Sequence, residues 1–202
     1  PFPQMARAVS DDPSAKNNGG TLGYFTALQM VYPFEKAVYS LSPGELSMPV
    51  RTRFGYHLVR VNDKRPNPGT VKVAHIMVAV PRNAGPEKQK EAFEKINNIY
   101  KQLQEEVPFD SLARKYSDDY NSARNGGVLP WFGTGKMVQP FEQAAFALKN
   151  PGDISEPIQT GYGWHIIKLL DKKALQPFNE MAESLRRKIL SSDRGQIARE
   201  IL

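Results

Sequence analysis

Residues 108–119 read PFDSLARKYSDD, and residues 1–12 read PFPQMARAVSDD. The likeness continues in order: NNGGTLGYF at 17–25 matches RNGGVLPWF at 124–132, and MVYPFEKAVYSL at 30–41 matches MVQPFEQAAFAL at 137–148. PGELSMPVRTRFGYHLVRVNDKR at 43–65 then matches PGDISEPIQTGYGWHIIKLLDKK at 151–173. A single one-residue gap near Asn150 aligns the two stretches. So many ordered identities mark a duplicated unit too long for a solenoid repeat, so each copy reads as a domain.

What precedes the second copy has no counterpart before the first. VKVAHIMVAV at 71–80 alternates apolar and other residues and is rich in valine, which predicts a strand. PRNAGP at 81–86 reads as a loop. From 87 to 106, Ala92, Phe93, Ile96, Ile99, Tyr100 and Leu103 fall at helical spacing. Short helices are expected at 109–116 and 140–148, with a Gly-Gly turn and a short strand between them. Strands are expected at 156–160 and 164–171, joined by Gly161-Tyr162-Gly163. The fold class is therefore α+β with an antiparallel sheet.

The expected division is 1–65 for a truncated first domain, 66–70 for a linker through Pro66 and Pro68, 71–173 for a complete domain, and 174–202 for a C-terminal helical segment. In that segment Phe178, Met181, Ala182, Leu185, Ile189 and Leu190, then Ile197, Ile201 and Leu202, form an apolar stripe that needs a partner surface. Copy two or a further region of a longer protein are the candidates.

The chain has 202 residues, a net charge of +6, three histidines and no cysteine. The absence of cysteine excludes disulfides, thiolate chemistry and Cys-ligated zinc. The histidines lack metal-ligand spacing, so no metal and no cofactor is expected. Lys and Arg are scattered without interleaved aromatics, which argues against a nucleic-acid groove. No apolar run approaches the roughly 20 residues of a membrane helix. The chain opens on Pro1 rather than Met, and is expected to belong to a longer protein whose localising segment lies outside it.

In order, the motifs are His75-Ile76-Met77-Val78, Phe109-x-x-Leu112-Ala113, Ser117-Asp118-Asp119 and Gly126-Gly127-x-Leu129-x-Trp131-Phe132. Met137, Pro140-Phe141-Glu142, Gly152-x-Ile154-Ser155-x-Pro157 and Thr160-x-x-Gly163-x-His165-Ile166-Ile167 complete the set. This set resembles the parvulin family of peptidyl-prolyl cis/trans isomerases, with the whole pattern in 72–172 and a truncated one in 1–64. The tandem arrangement resembles envelope folding factors of the SurA and PpiD type.

The resemblance implies two FKBP-like domains, each a four-stranded antiparallel sheet with surrounding helices, the first lacking its opening strand and helix. It implies non-covalent catalysis of prolyl isomerisation on unfolded, proline-containing polypeptides in a Gram-negative periplasm or envelope, with possible packing on chaperone regions outside this chain. His75, Asp119, Thr160 and His165 would be catalytic. Leu129, Met137, Phe141, Trp131 and Phe132 would bind substrate. In the first copy Asp12, Leu22, Met30, Phe34, Thr52 and His57 occupy equivalent positions, and nothing matches His75.

Other readings stay open. Leu129, Met137 and Phe141 also suit a plain core, Asp119 suits a turn cap, and strand histidines are often structural. A peptide-gripping chaperone module without catalysis is the alternative function. Two departures stand out: Pro130 replaces the family's usual glycine, kept as Gly23 in copy one, and Trp164 stands where copy one has Tyr56. The loop 81–86 holds one basic residue, Arg82, so no phosphate requirement is expected before proline.

Overall fold

The computed structural model describes residues 1–81, 83–192 and 194–195. Arg82 and the apolar residues Ile197, Ile201 and Leu202 lie outside the described residues. The chain divides into two compact units, one formed by Pro1–Asn67 with the segment from Gln176 onward, the other by Pro68–Leu175. The C-terminal segment, read from sequence as a third element, is thus grouped with the first unit.

The first unit carries α1 (Phe2–Val9), α2 (Ala15–Asn18), α3 (Tyr32–Ser40), β1 (Val50–Thr52) and β2 (Gly55–His57). The second carries β3 (Thr70–Ala79), α4 (Pro86–Gln104), α5 (Phe109–Tyr116), α6 (Tyr120–Ala123), β4 (Phe132–Gly133), α7 (Gln139–Ala147), β5 (Ile158–Thr160) and β6 (Gly163–Lys173). Helix α8 (Phe178–Leu190) follows and belongs to the first unit.

In the second unit the sheet order is β4-β3-β6-β5, with antiparallel neighbours throughout. β3 and β6 pair along their whole length, broken by one irregularity between Lys72 and Val73. Alternation along both strands sorts side chains to two faces. Ala74, Ile76, Val78 and Ile166 face one cluster, covered by Ala92, Ile96, Ile99 and Leu103 of α4 and by Phe109, Leu112 and Ala113 of α5. Val71, Val73, Ile167 and Leu169 face the other, covered by Phe141, Ala145 and Phe146 of α7. Odd-numbered residues of β3 and β6 thus look toward α7. His75 and His165 are both odd, and this parity places them on that face.

The outer edge of β3 is satisfied by loop side chains and loop backbone instead of a full strand. The Met77 amide donates to Ser117 Oγ at 3.1 Å, the Ala79 amide to Asp118 Oδ2 at 2.9 Å, and the Asp118 amide to the Met77 carbonyl at 2.8 Å. The His75 amide donates to the Gly127 carbonyl at 2.8 Å, and the Leu129 amide to the Val73 carbonyl at 2.9 Å. The Ser-Asp-Asp and Gly-Gly motifs are therefore the pieces that finish this edge. Gly127 has φ of 82°, and a Cβ there would sit 2.2 Å from the His75 carbonyl oxygen, so only glycine fits.

The first unit, expected to lack the opening strand and helix of the second, has a smaller sheet among the described residues. Its sheet has two strands, β1 and β2, extended by a single bridge between Leu46 and Arg60. No strand forms at the counterpart of β4, because β4 pairs only with β3 and the first unit has no β3. The Ser-Asp-Asp motif turns inward: the Asp12 amide donates to Ser10 Oγ and the Ser14 amide to Asp12 Oδ1. Positions that are core in the second unit stay exposed. Leu58 is 57% exposed where Ile166 is 0%, and Met5 is 58% exposed where Leu112 is 3%. No residue of α8 is buried.

Candidate active site

Antiparallel register sets Met77 opposite His165 and His75 opposite Ile167. The two histidines are diagonal neighbours on one face, close enough for large side chains to meet. Their rings are stacked, with centroids 5.7 Å apart and planes 13° from parallel. Phe141 of α7 presents an edge-on contact to both, at 5.6 Å to His75 and 5.5 Å to His165. All three are buried.

Each imidazole has its own polar partner. His75 Nε2 lies 2.8 Å from Asp119 Oδ2 and 3.1 Å from Ser122 Oγ. Ser122 Oγ donates a short hydrogen bond to the same Asp119 oxygen. His165 Nε2 lies 2.8 Å from Thr160 Oγ1, which also accepts the Tyr162 amide at 3.1 Å. The Nδ1 atoms of both histidines are buried without a hydrogen-bond partner.

Burial pushes His165 down to about 4, and the neighbouring His75 adds to the shift. Burial also holds His75 below the ordinary histidine value, against the opposing pull of Asp119. For Asp119 burial acts upward, but the hydrogen bonds from Ser122 and His75 outweigh it and hold the carboxyl below its usual range. At neutral pH the site therefore holds two neutral imidazoles and one carboxylate. Neutral His75 must then donate its Nε2 proton to Asp119, since a lone pair there would face an anion.

Asp119 precedes α6, but its side chain makes no capping bond to that helix; it is spent on His75 and Ser122. Phe141 and Phe132 are each 4% exposed, and Leu129 and Met137 pack half-buried against their cluster. Phe141 thus serves as core and as floor of the histidine pair at once. Trp131 is not part of that cluster and lies half-buried beneath the Lys173 ammonium, 4.4 Å from the ring centroid. Pro130 is exposed and follows the Leu129 amide bonded to Val73. Gly23, its counterpart, has φ of 73°, closed to proline, so the two loops follow different paths.

In the first unit Thr52 Oγ1 lies 2.7 Å from His57 Nε2, and Phe34 meets His57 edge-on at 5.5 Å. This reproduces the Thr160–His165–Phe141 part of the second site. Met30 is half-buried, but Leu22 is 50% exposed, and Asp12 is bound to its own turn. Half of the arrangement exists there, without a second histidine.

Ser122 was not singled out from the sequence. Its signal was the Asp-x-x-Ser spacing across one turn, which brings both side chains to one side. Glu142, of the Pro-Phe-Glu motif, is buried, and its Oε2 accepts the Gly135 amide at 2.7 Å. Glu35 receives the Leu28 amide in the same way, and Leu28 holds a φ of 69° there. Glu35 also pairs with Arg194. Among the described residues no three His, Cys, Asp or Glu side chains could hold a metal ion, and no helix is long and apolar enough to cross a membrane.

A family model described as the PPIC-type PPIase domain matches residues 75–171, and a second of the same description matches residues 1–65. The chain belongs to the parvulin family of peptidyl-prolyl isomerases. Among curated parvulin relatives, the chaperone SurA of Methylobacillus flagellatus is 36% identical over 183 residues, which is 90% of this chain and 41% of the relative. The foldase protein PrsA of a Geobacillus species is 43% identical over 115 residues, 57% of this chain and 37% of the relative. This chain spans about two fifths of the length of the curated relatives it matches. Among solved structures, the peptidylprolyl isomerase PrsA of Bacillus anthracis is 38% identical, with 59% of this chain and 49% of that chain covered and a TM-score of 0.46. The parvuline of Nitrosopumilus maritimus is 38% identical, with 51% of this chain and 97% of that chain covered and a TM-score of 0.40.

Proposed function

We propose that the second parvulin domain isomerises X-Pro bonds in unfolded polypeptides, and that the first, in the form described, does not. The observation that carries this is the stacked pair of buried imidazoles over Phe141, with His75 Nε2 beside the Asp119 carboxyl. Rotation about X-Pro meets a barrier of roughly 18–20 kcal/mol because the amide is conjugated. Nothing covalent needs to break. An enzyme has to favour the twisted amide over the planar one.

Leu129 and Met137 grip the proline ring and keep water away. Met suits this role, being flexible and polarizable. The imidazoles and Asp119 supply fixed dipoles and one negative charge against the altered charge of the twisted bond. Two buried Nδ1 atoms without partners mark the imidazoles as polar groups not fully used by the fold. Neither histidine acts as a general base, since no proton is removed in the reaction.

The first unit supports a second reading for itself alone, that of a site gripping peptide without catalysis. It keeps Thr52, His57 and Phe34 but has no counterpart of His75. Because the chain is similar to proteins named chaperone and foldase, unfolded chains are the proposed clients, and a Gram-negative envelope is the proposed setting.

The test is a prolyl-isomerisation assay on the full chain. His75→Ala and Asp119→Ala are each expected to lower kcat/KM by about 10²-fold or more, as loss of a preorganised electrostatic group does. His57→Ala is expected to change it less than twofold. Activity that survives loss of His75 but falls with His57 overturns the assignment.

A further inference from the structure

We infer that Ser122 is a positioning residue of the isomerase site, fixing the Nε2–H form of His75 by holding the Asp119 oxygen that receives its proton. This rests on the proposed function, because it concerns the same reaction.

Three atoms form a closed polar triangle. Ser122 Oγ donates to Asp119 Oδ2, His75 Nε2 lies 2.8 Å from that oxygen, and His75 Nε2 lies 3.1 Å from Ser122 Oγ. A hydroxyl has one proton and two lone pairs. With its proton given to the carboxylate, Ser122 turns a lone pair toward the His75 N–H. The proton on Nε2 then meets two acceptors, and moving it to Nδ1 forfeits both. The consequence is directional: the Nδ1 lone pair of His75, buried and unpartnered, is kept free in the histidine stack. Asp119 alone does less, because a carboxylate held from one side can rotate away from the ring.

Two further observations point the same way. Ser122 is 6% exposed, and its side-chain bonds run to Asp119 and His75 rather than capping a helix end. The repeat also supplies a comparison within the chain. At the position of Ser122 the first copy has Ala15, and there Asp12 turns away to its own backbone, accepting the Ser14 amide. The serine is present where histidine and aspartate both stand, and absent where the histidine is missing.

The experiment uses the full chain with Ser122→Ala, Ser122→Thr and Ser122→Cys, read by isomerase kinetics and by ¹⁵N NMR of the histidine ring nitrogens. In the native chain His75 is expected to show the Nε2–H pattern. Ser122→Ala should lower kcat about tenfold, the worth of one hydrogen bond to a charged group, with KM changed less than twofold. His75 should then become a mixture of both ring-proton forms. Ser122→Thr, which keeps the hydroxyl, should restore kcat to within threefold and return the Nε2–H pattern. If Ser122→Ala does not fold, Ser122→Cys replaces it, with similar volume and a weaker donor, and should show a partial loss in the same direction. An unchanged His75 pattern in the variant that folds overturns the inference, as does a kcat within twofold of native. A native chain with no isomerase activity removes the functional reading instead, and the NMR pattern still decides the role of the serine.

Discussion

At His165, burial lowers the imidazole to about 4, while an unfolded histidine titrates near 6.5. Below that value the unfolded state takes up a proton that the folded state refuses, so stability falls as pH drops from about 6.5 to 4. For this residue the loss reaches about 3 kcal/mol at pH 4. Asp119, held below its ordinary range, adds stability that is present above the unfolded carboxyl value and lost as pH falls below it. Denaturant melts across this range should show the loss, and His165→Asn should flatten the slope between pH 6.5 and 4. A second residue-scale prediction separates pocket from core. Met137 is half-buried, so Met137→Ala should raise KM several-fold while costing less than about 1.5 kcal/mol. Phe141 is buried against both histidines, and Phe141→Ala should cost about 3–5 kcal/mol of stability as well as activity. Substrate choice follows from charge. Phosphate is best held by paired cations, and the sequence of the loop 81–86 offers only Arg82. Ser-Pro and phosphoSer-Pro peptides should therefore differ by less than tenfold in kcat/KM, with Leu-Pro and Phe-Pro as good or better.

Among the elements, the turn Gly126-Gly127 gives the sharpest internal comparison. A Cβ on Gly127 meets the His75 carbonyl at 2.2 Å, whereas one on Gly20, the counterpart, meets only the Ala6 side chain at 3.2 Å. Both glycines have positive φ, so both substitutions carry backbone strain of about 1–2 kcal/mol. Gly127→Ala adds a clash with β3 and should cost roughly 2–4 kcal/mol in total, against about 1–2 for Gly20→Ala, measured by thermal melts of each variant. The same pair shows what sequence could and could not supply. Period-two and helical spacing located β3, α4, α5, α7 and β6 to within a few residues, because each buries a continuous apolar face. β4 is the short strand expected between α5 and α7, whereas α6 is too short to carry a period. The edge-closing role of Ser117, Asp118 and Gly127 was illegible, because it depends on which backbone groups β3 leaves open. For the site, motif order brought His75, Asp119, Thr160 and His165 to attention. Ser122 escaped because serine beside a turn has ordinary local explanations. Trp131 is grouped with the pocket by its place in a motif, and its ring lies under Lys173.

At the scale of the whole molecule, the two units differ in how much apolar surface they can hide. The second has two clusters, one on each face of its sheet. The first has only Ala15, Val59 and Val61 as buried apolar residues among those described. A fragment of residues 68–175 is therefore expected to unfold cooperatively and to keep most of the isomerase activity of the full chain. A fragment of residues 1–67 is expected to show no cooperative melt and no activity. Equal activity from the two fragments is the result that contradicts this division.

The β3–β6 pairing also governs when the site can come into existence. Ala79 meets Gly163 and Thr70 meets Lys173, so the strand at one end of the domain zips onto the strand at the other. The chain between them must be gathered in before either histidine has its neighbour, and closures over such distances in sequence are slow compared with helix formation. On refolding from denaturant, helical signal should thus return ahead of catalysis. The prolyl isomerase of this chain would be the last thing its own folding makes, and the lag before turnover resumes would time the closing of the sheet.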